Sequence, residues 1–151
     1  MTERLNYFKA SPKAVQAMLA LEEETQALSI PLVLRELVKM RVSQINGCAY
    51  CLNMHAPDAR GAGLSQQKLD VLAAWRESPV FDARERAALG WAEALTRIEA
   101  TGAPDADYAT LTDAFTPKEC VDLTLVIIAI NGWNRFAVGF RALHPLRADA
   151  A

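Results

Sequence analysis

The chain has 151 residues, of which 52% are hydrophobic and 23% charged, the make-up of one globular domain spanning residues 1–151. Sixteen Lys and Arg against eighteen Asp and Glu leave a net charge of −2 and no basic cluster, so the electrostatic footprint of a nucleic-acid binder is missing. The opening residues lack a signal peptide's apolar region, and the most apolar run, residues 121–130, is far short of the ~20 residues of a membrane span; a cytoplasmic protein with no membrane partner is expected.

In chain order, Ser11-Pro12 offers a cap followed by proline in the first helical turn, and Ala14, Met18, Leu21, Thr25 and Leu28 recur at helical spacing. Pro31 opens a second helix carrying Leu34, Leu37, Val38, Met40, Val42 and Ile45, which Asn46-Gly47 stops. A third begins about Cys48 and runs toward Pro57, making a hairpin of residues 31–61. Ser65 caps a fourth with Leu69, Leu72 and Trp75. Asp82 and Glu85 form a capping box ahead of Ala87, Ala88, Trp91, Leu95 and Ile98, and the segment from Thr101 to Pro104 ends that helix. Thr116-Pro117-Lys118-Glu119 joins a second box to an early proline and launches the last long helix, through about Leu143. Residues 121–130 are β-branched enough for a strand, but the cap before them favours a buried helix. No alternating pattern recurs, so the fold class is all-α.

A faint repeat accompanies this pattern. Ile45-Asn46-Gly47 recurs as Ile130-Asn131-Gly132, which sets Trp133, Phe136 and Phe140 opposite Cys48, Cys51 and His55. If both copies are helical hairpins, the hairpin does not need Cys and His to fold.

The three cysteines are Cys48, Cys51 and Cys120, an odd number that argues against a secreted disulfide framework. Around a helix, Cys51 and His55 lie at about 300° and 340° from Cys48, so all three share one face. Cys48 and Cys51 fall in a first turn, where free amides and the helix dipole favour an anion and lower a thiol pKa from ~8.5 to roughly 3.5–7.5. A thiolate beside a base, with a second thiol in reach, suits attack on a peroxide or a disulfide. Glu36 stands about 15 Å back from the turn and His55 about 13 Å beyond it, so a hairpin brings the two level. Glu36 shares its face with Leu32, Val33 and Met40, and burial there would raise its carboxyl pKa and suit it to proton relay.

Other uses of the same residues stay open. Cys48, Cys51 and His55 could ligate a metal, with Glu36 or Cys120 as the fourth ligand, or the pair could be structural. Glu36 could equally be a surface partner of Lys39 at i,i+3. Tyr50 reads as a packed or rim residue, Cys120 as a small buried hydrophobe, and His144 as a partner for a helix C-terminus. Asn131, Asn134 and Arg135 read as groups that satisfy buried backbone or subunit contacts. Flavin, haem and nucleotide motifs are missing, so no cofactor is expected.

The spacing E-x11-C-x2-C-x3-H resembles that of the alkylhydroperoxidase D-like (AhpD-like) proteins of the carboxymuconolactone decarboxylase superfamily. The resemblance implies an all-α fold, a homo-oligomer such as a trimer or hexamer, and thiol peroxidase chemistry on a hydroperoxide. It assigns Cys51 as the peroxidatic cysteine, Cys48 as the resolving one, and His55 with Glu36 as the proton relay. It also implies an external dithiol reductant, lipoyl-bearing or thioredoxin-like, and a peroxiredoxin as a further partner. The superfamily has a decarboxylase branch without the cysteine pair. The rival readings are such a lyase and a non-enzymatic helical oligomer with a metal-binding or redox-sensing pair.

Overall fold

The computed structural model describes residues 1–146, which fold as helices with no strand among them. In order these are α1 (Tyr7–Ala10), α2 (Pro12–Gln26), α3 (Leu32–Ile45), α4 (Ala49–Gly61), α5 (Gln66–Val71), a 3₁₀ segment (Leu72–Glu77), α6 (Ala83–Thr96), α7 (Ile98–Thr101), α8 (Asp105–Ala114) and α9 (Pro117–Phe140). The all-α expectation therefore holds.

α3 is the central helix, packed against α4, α6 and α9, while α2 lies on α9 and α6 on α8. Leu37, Val38 and Val42 of α3 are fully buried, as are Ala88 and Leu89 of α6 and Leu123 and Val126 of α9. Removing such side chains from water is what drives these helices together, at about 1.5–3 kcal/mol for each Leu or Val and less for Ala88. Residues 121–130 are helical, because the Thr116–Glu119 capping box fixes the entry to α9. α9 as a whole is long and apolar enough to cross a membrane. Here its apolar side packs against α2, α3 and α6, and it carries buried Asp122, Asn131 and Asn134.

Several boundaries differ from the sequence reading. α6 ends at Thr96, so Ile98 begins the short α7 and is exposed. α9 stops at Phe140, where Arg141 turns left-handed with φ of 54°, and His144 lies beyond the helix instead of at its end. Backbone and side-chain bonds from Arg4 to the carbonyls of Phe140 and Gly139 meet that terminus instead. α4 runs through Pro57 to Gly61. Ser65 does cap α5, but the helix tightens to 3₁₀ before Trp75, kinked at Ala74. Ser11 makes no side-chain cap bond, and Ala14 is exposed where Val15 is buried.

The Ile-Asn-Gly repeat is not a repeated hairpin. Asn46-Gly47 makes the turn between α3 and α4, with Gly47 at φ of 65°, whereas Ile130 to Gly132 runs unbroken inside α9. The two asparagines nevertheless meet. Asn46 Nδ2 donates to Asn131 Oδ1 at 3.0 Å and to Asn134 Oδ1 at 2.8 Å, and Asn134 Nδ2 donates to Ser43 Oγ at 3.2 Å. This buried network ties the α3–α4 turn, immediately ahead of Cys48, to the middle of α9. Elsewhere Glu93 of α6, buried, accepts from Trp75 Nε1 at 2.8 Å and from Arg41 and Arg76, joining the 3₁₀ segment to α3.

Candidate active site

The left-handed Gly47 reverses the chain, and Cys48 becomes the N-cap of α4, its Sγ accepting from the Cys51 N–H at 3.3 Å. Cys48 and Cys51 are joined as a disulfide with Cα atoms 5.4 Å apart, and both are almost fully buried. One turn on, His55 meets Glu36 of α3, Nδ1 to Oε2 at 2.8 Å. The hairpin thus brings the two level, as the spacing predicts. Pro57 does not prevent it, because α4 continues through that residue.

Glu36 is 4% exposed and His55 6%. The expectation that burial raises the Glu36 pKa is overturned. Burial does push it up, but the hydrogen bond and charge of His55, together with Lys39, outweigh burial and hold the carboxyl below its ordinary value. An ionised Glu36 can only accept, so His55 Nδ1 carries the shared proton and Nε2 is left as the basic ring nitrogen. Lys39 is the expected i,i+3 partner of Glu36, Nζ to Oε1 at 3.5 Å, yet neither residue is on the surface. α2 lies over them, and its Glu22 accepts from Lys39 Nζ at 2.6 Å.

These groups line a cavity of about 740 Å³. Its walls include Tyr7 and Phe8 of α1, Leu19 of α2, Leu32 of α3, Tyr50 and Met54 of α4, and Trp133 of α9, so the space is chiefly apolar and aromatic around one polar cluster. Cys51 is among the lining residues and Cys48 is not. Tyr50 is a half-buried wall residue, as expected. Cys120 sits in the first turn of α9, outside the lining, with its thiol near the Phe115 carbonyl and its pKa pushed up by burial and by Glu119. It packs in the hydrophobic core, as the small buried hydrophobe expected, and a raised pKa disfavours its thiolate. Asn131 and Asn134 belong to the network behind the turn, and Arg135 caps the Asn131 carbonyl.

A second donor set lies in the same cavity, with one donor atom each from Glu36, His55 and Asp58 all within 4.8 Å of one another. A cation there must compete with the Lys39 ammonium for Glu36. Lys39, Glu22 and Asp58 are the site residues that sequence reasoning missed. The i,i+3 spacing signalled the Lys39 pairing, but nothing local signalled that α2 would cover it.

An all-helical scaffold with a cysteine pair in the first turn of a helix, one turn from a buried acid–histidine couple, defines a dithiol protein. Residues 11–94 match the Carboxymuconolactone decarboxylase family, and the chain belongs to that family as an AhpD-like member. The uncharacterized protein YdfG of Bacillus subtilis (strain 168) is 38% identical over 138 residues, 91% of this chain and 94% of its own length. ATU0492 of Agrobacterium tumefaciens, a protein of unknown function suggested to be the antioxidant defence protein AhpD, is 48% identical. It superposes with a TM-score of 0.94 over 97% of this chain and 100% of its own. The debrominase Bmp8 superposes at 0.81 with 20% identity, over 91% of this chain and 74% of its own, a likeness of fold alone.

Proposed function

We propose that this protein is a thiol peroxidase, or more broadly a dithiol oxidoreductase, acting in the cytoplasm. The observation that carries the reading is the placement of Cys51 and the buried Glu36–His55 couple on the wall of one apolar cavity. In the reduced protein the Cys51 thiol gives its proton to His55, whose imidazolium Glu36 stabilises. The thiolate attacks the distal oxygen of an organic hydroperoxide. The O–O bond breaks, Cys51 becomes a sulfenic acid, and the leaving alkoxide takes a proton to depart as an alcohol. The Cys48 thiol then attacks the Cys51 sulfur, forming the disulfide and releasing water. A lipoyl-bearing or thioredoxin-like dithiol restores the pair by exchange and is itself oxidised. A peroxiredoxin is the further partner that the family suggests.

The same family likeness supports assembly into trimers or hexamers. Leu32, Val121 and Ile128 are exposed apolar residues that another copy would cover, and sedimentation at micromolar concentration as a monomer alone would count against it.

The chemistry is tested by adding one equivalent of organic hydroperoxide to fully reduced protein and following intact mass and free thiols. Two of the three thiols should be lost, mapped to Cys48 and Cys51, with Cys120 retained. Cys51→Ser should be inert and Cys48→Ser should stall at a sulfenic acid. Persistence of all three thiols with the peroxide unspent overturns the peroxidase reading. Activity surviving Cys51→Ser points instead to lyase chemistry.

A further inference from the structure

We propose that Lys39 is a positioning residue of this site: its ammonium, clamped between Glu22 of α2 and Glu36 of α3, fixes Glu36 as the acceptor of the His55 Nδ1–H. The inference builds on the site as read above, and it extends the relay by two groups and one helix.

A lysine with only 7% of its side chain exposed needs its charge matched, since an unpaired buried ammonium is strongly destabilising. Two carboxylates meet it. Glu22 Oε1 is 2.6 Å away and Glu36 Oε1 is 3.5 Å away. The contacts at Glu36 are divided by oxygen: Oε1 faces Lys39 and Oε2 accepts from His55. A carboxylate held at both oxygens cannot rotate, so its orientation toward the imidazole is set from the α3 side. The result is a continuous chain, Glu22–Lys39–Glu36–His55, crossing α2, α3 and α4.

The alternatives for Lys39 are narrower. It is not an available anion receptor for substrate, because both carboxylates already meet its ammonium. It is not a surface ion pair either, since it and Glu36 are both buried. Of the other groups around the cavity, Arg35 is committed to the Thr25 carbonyl at 2.5 Å. Tyr7 and Tyr50 contribute phenols, Asp58 an exposed carboxylate, and Cys51 a sulfur, whereas α9 contributes Trp133 and Ala137, which do not titrate. Lys39 is therefore the cation that its own helix offers Glu36, beside the larger influence of His55, and Glu22 tempers it from α2.

Two neutralising changes should act with opposite signs. In Lys39→Gln, Glu36 loses the cation and takes up a proton at higher pH. In Glu22→Gln, Lys39 is left to Glu36 alone, and protonation moves to lower pH. The chain has two histidines, His55 and His144, so the imidazoles of 15N-histidine-labelled protein can be resolved and followed across pH. The acid inflection of the His55 Nδ1–H···Glu36 signal should rise by about one pH unit in Lys39→Gln and fall in Glu22→Gln. Lys39→Arg should restore the wild-type position. An unmoved inflection in Lys39→Gln, or a shift of the same sign in both variants as mere loosening would give, overturns the proposal. Should Lys39→Gln fail to fold, Glu22→Gln decides alone, and an unmoved or raised inflection refutes it. This readout involves no peroxide, so failure of the peroxidase reading and failure of the Lys39 role are separable.

Discussion

Burial alone would make Glu36 a neutral acid, and a neutral acid cannot hold an imidazolium. The site avoids this by surrounding one carboxylate with two nitrogen donors, His55 at 2.8 Å and Lys39 at 3.5 Å. Because the folded protein holds the Glu36 pKa below its ordinary 4.5, the unfolded chain binds that proton more readily. The stability this supplies is complete above the ordinary value and is lost as pH falls through the folded one. Glu36→Gln should therefore cost about 2 kcal/mol near neutrality, mostly through Lys39 left half-matched in a buried place. The gap to wild type should close in acid, where Glu36 is protonated anyway. Urea unfolding of both proteins at neutral and acidic pH measures this, and a gap independent of pH would mean that Glu36 acts through packing alone.

Among the helices, the best placed features are those whose determinants lie within a few residues. Both capping boxes form, each with side chain and backbone reciprocally bonded. The C-x2-C-x3-H spacing likewise fixes a helical face whatever the rest of the chain does. Features decided by tertiary partners were not legible. α8 has buried Leu111 but too little apolar pattern to announce itself, and its stability comes from lying on α6. The 3₁₀ segment is tied through Trp75 to Glu93, which is distant in sequence, and the Glu36 pKa is held down by His55 first and then by Lys39, whose burial under α2 no local pattern announced. The repeat misled for the same reason. Asn46 and Asn131 lie in identical tripeptides and meet at one junction, yet one stands at a turn and the other inside a helix, because the tripeptide does not fix its own conformation. That junction is itself testable. Asn46→Ala removes two hydrogen bonds; Asn131 Oδ1 keeps Arg135 as a donor but Asn134 Oδ1 loses Asn46, a loss of about 1–3 kcal/mol in chemical denaturation. Reactivity of the reduced Cys51 should fall with it, since Asn46 sets the entry to α4. Full reactivity in a destabilised variant would separate the junction from the site.

At the scale of the whole molecule, a protein that cycles between dithiol and disulfide has to fold in both states. The cysteine pair closes a loop of sequence separation 3, so it constrains little of the unfolded chain, and its entropic contribution is at most about 2 kcal/mol. Cys48 and Cys51 are themselves members of the buried core, which otherwise draws on α3, α6, α8 and α9 and is held by apolar packing and by the Asn46 and Glu93 networks, neither of which includes a sulfur atom. Reduction should therefore leave the helical circular dichroism unchanged and unfolding cooperative, with the denaturation midpoint displaced by no more than that contribution. Cys48→Ser and Cys51→Ser should fold cooperatively, at a cost of about 1–2 kcal/mol against the reduced wild type for burying a hydroxyl in place of a thiol. A structural staple behaves otherwise: the reduced protein would lose its cooperative transition, and both serine variants would expose the cavity helices to proteolysis. Denaturation of the oxidised, reduced and doubly substituted proteins, side by side, distinguishes a working dithiol from a brace.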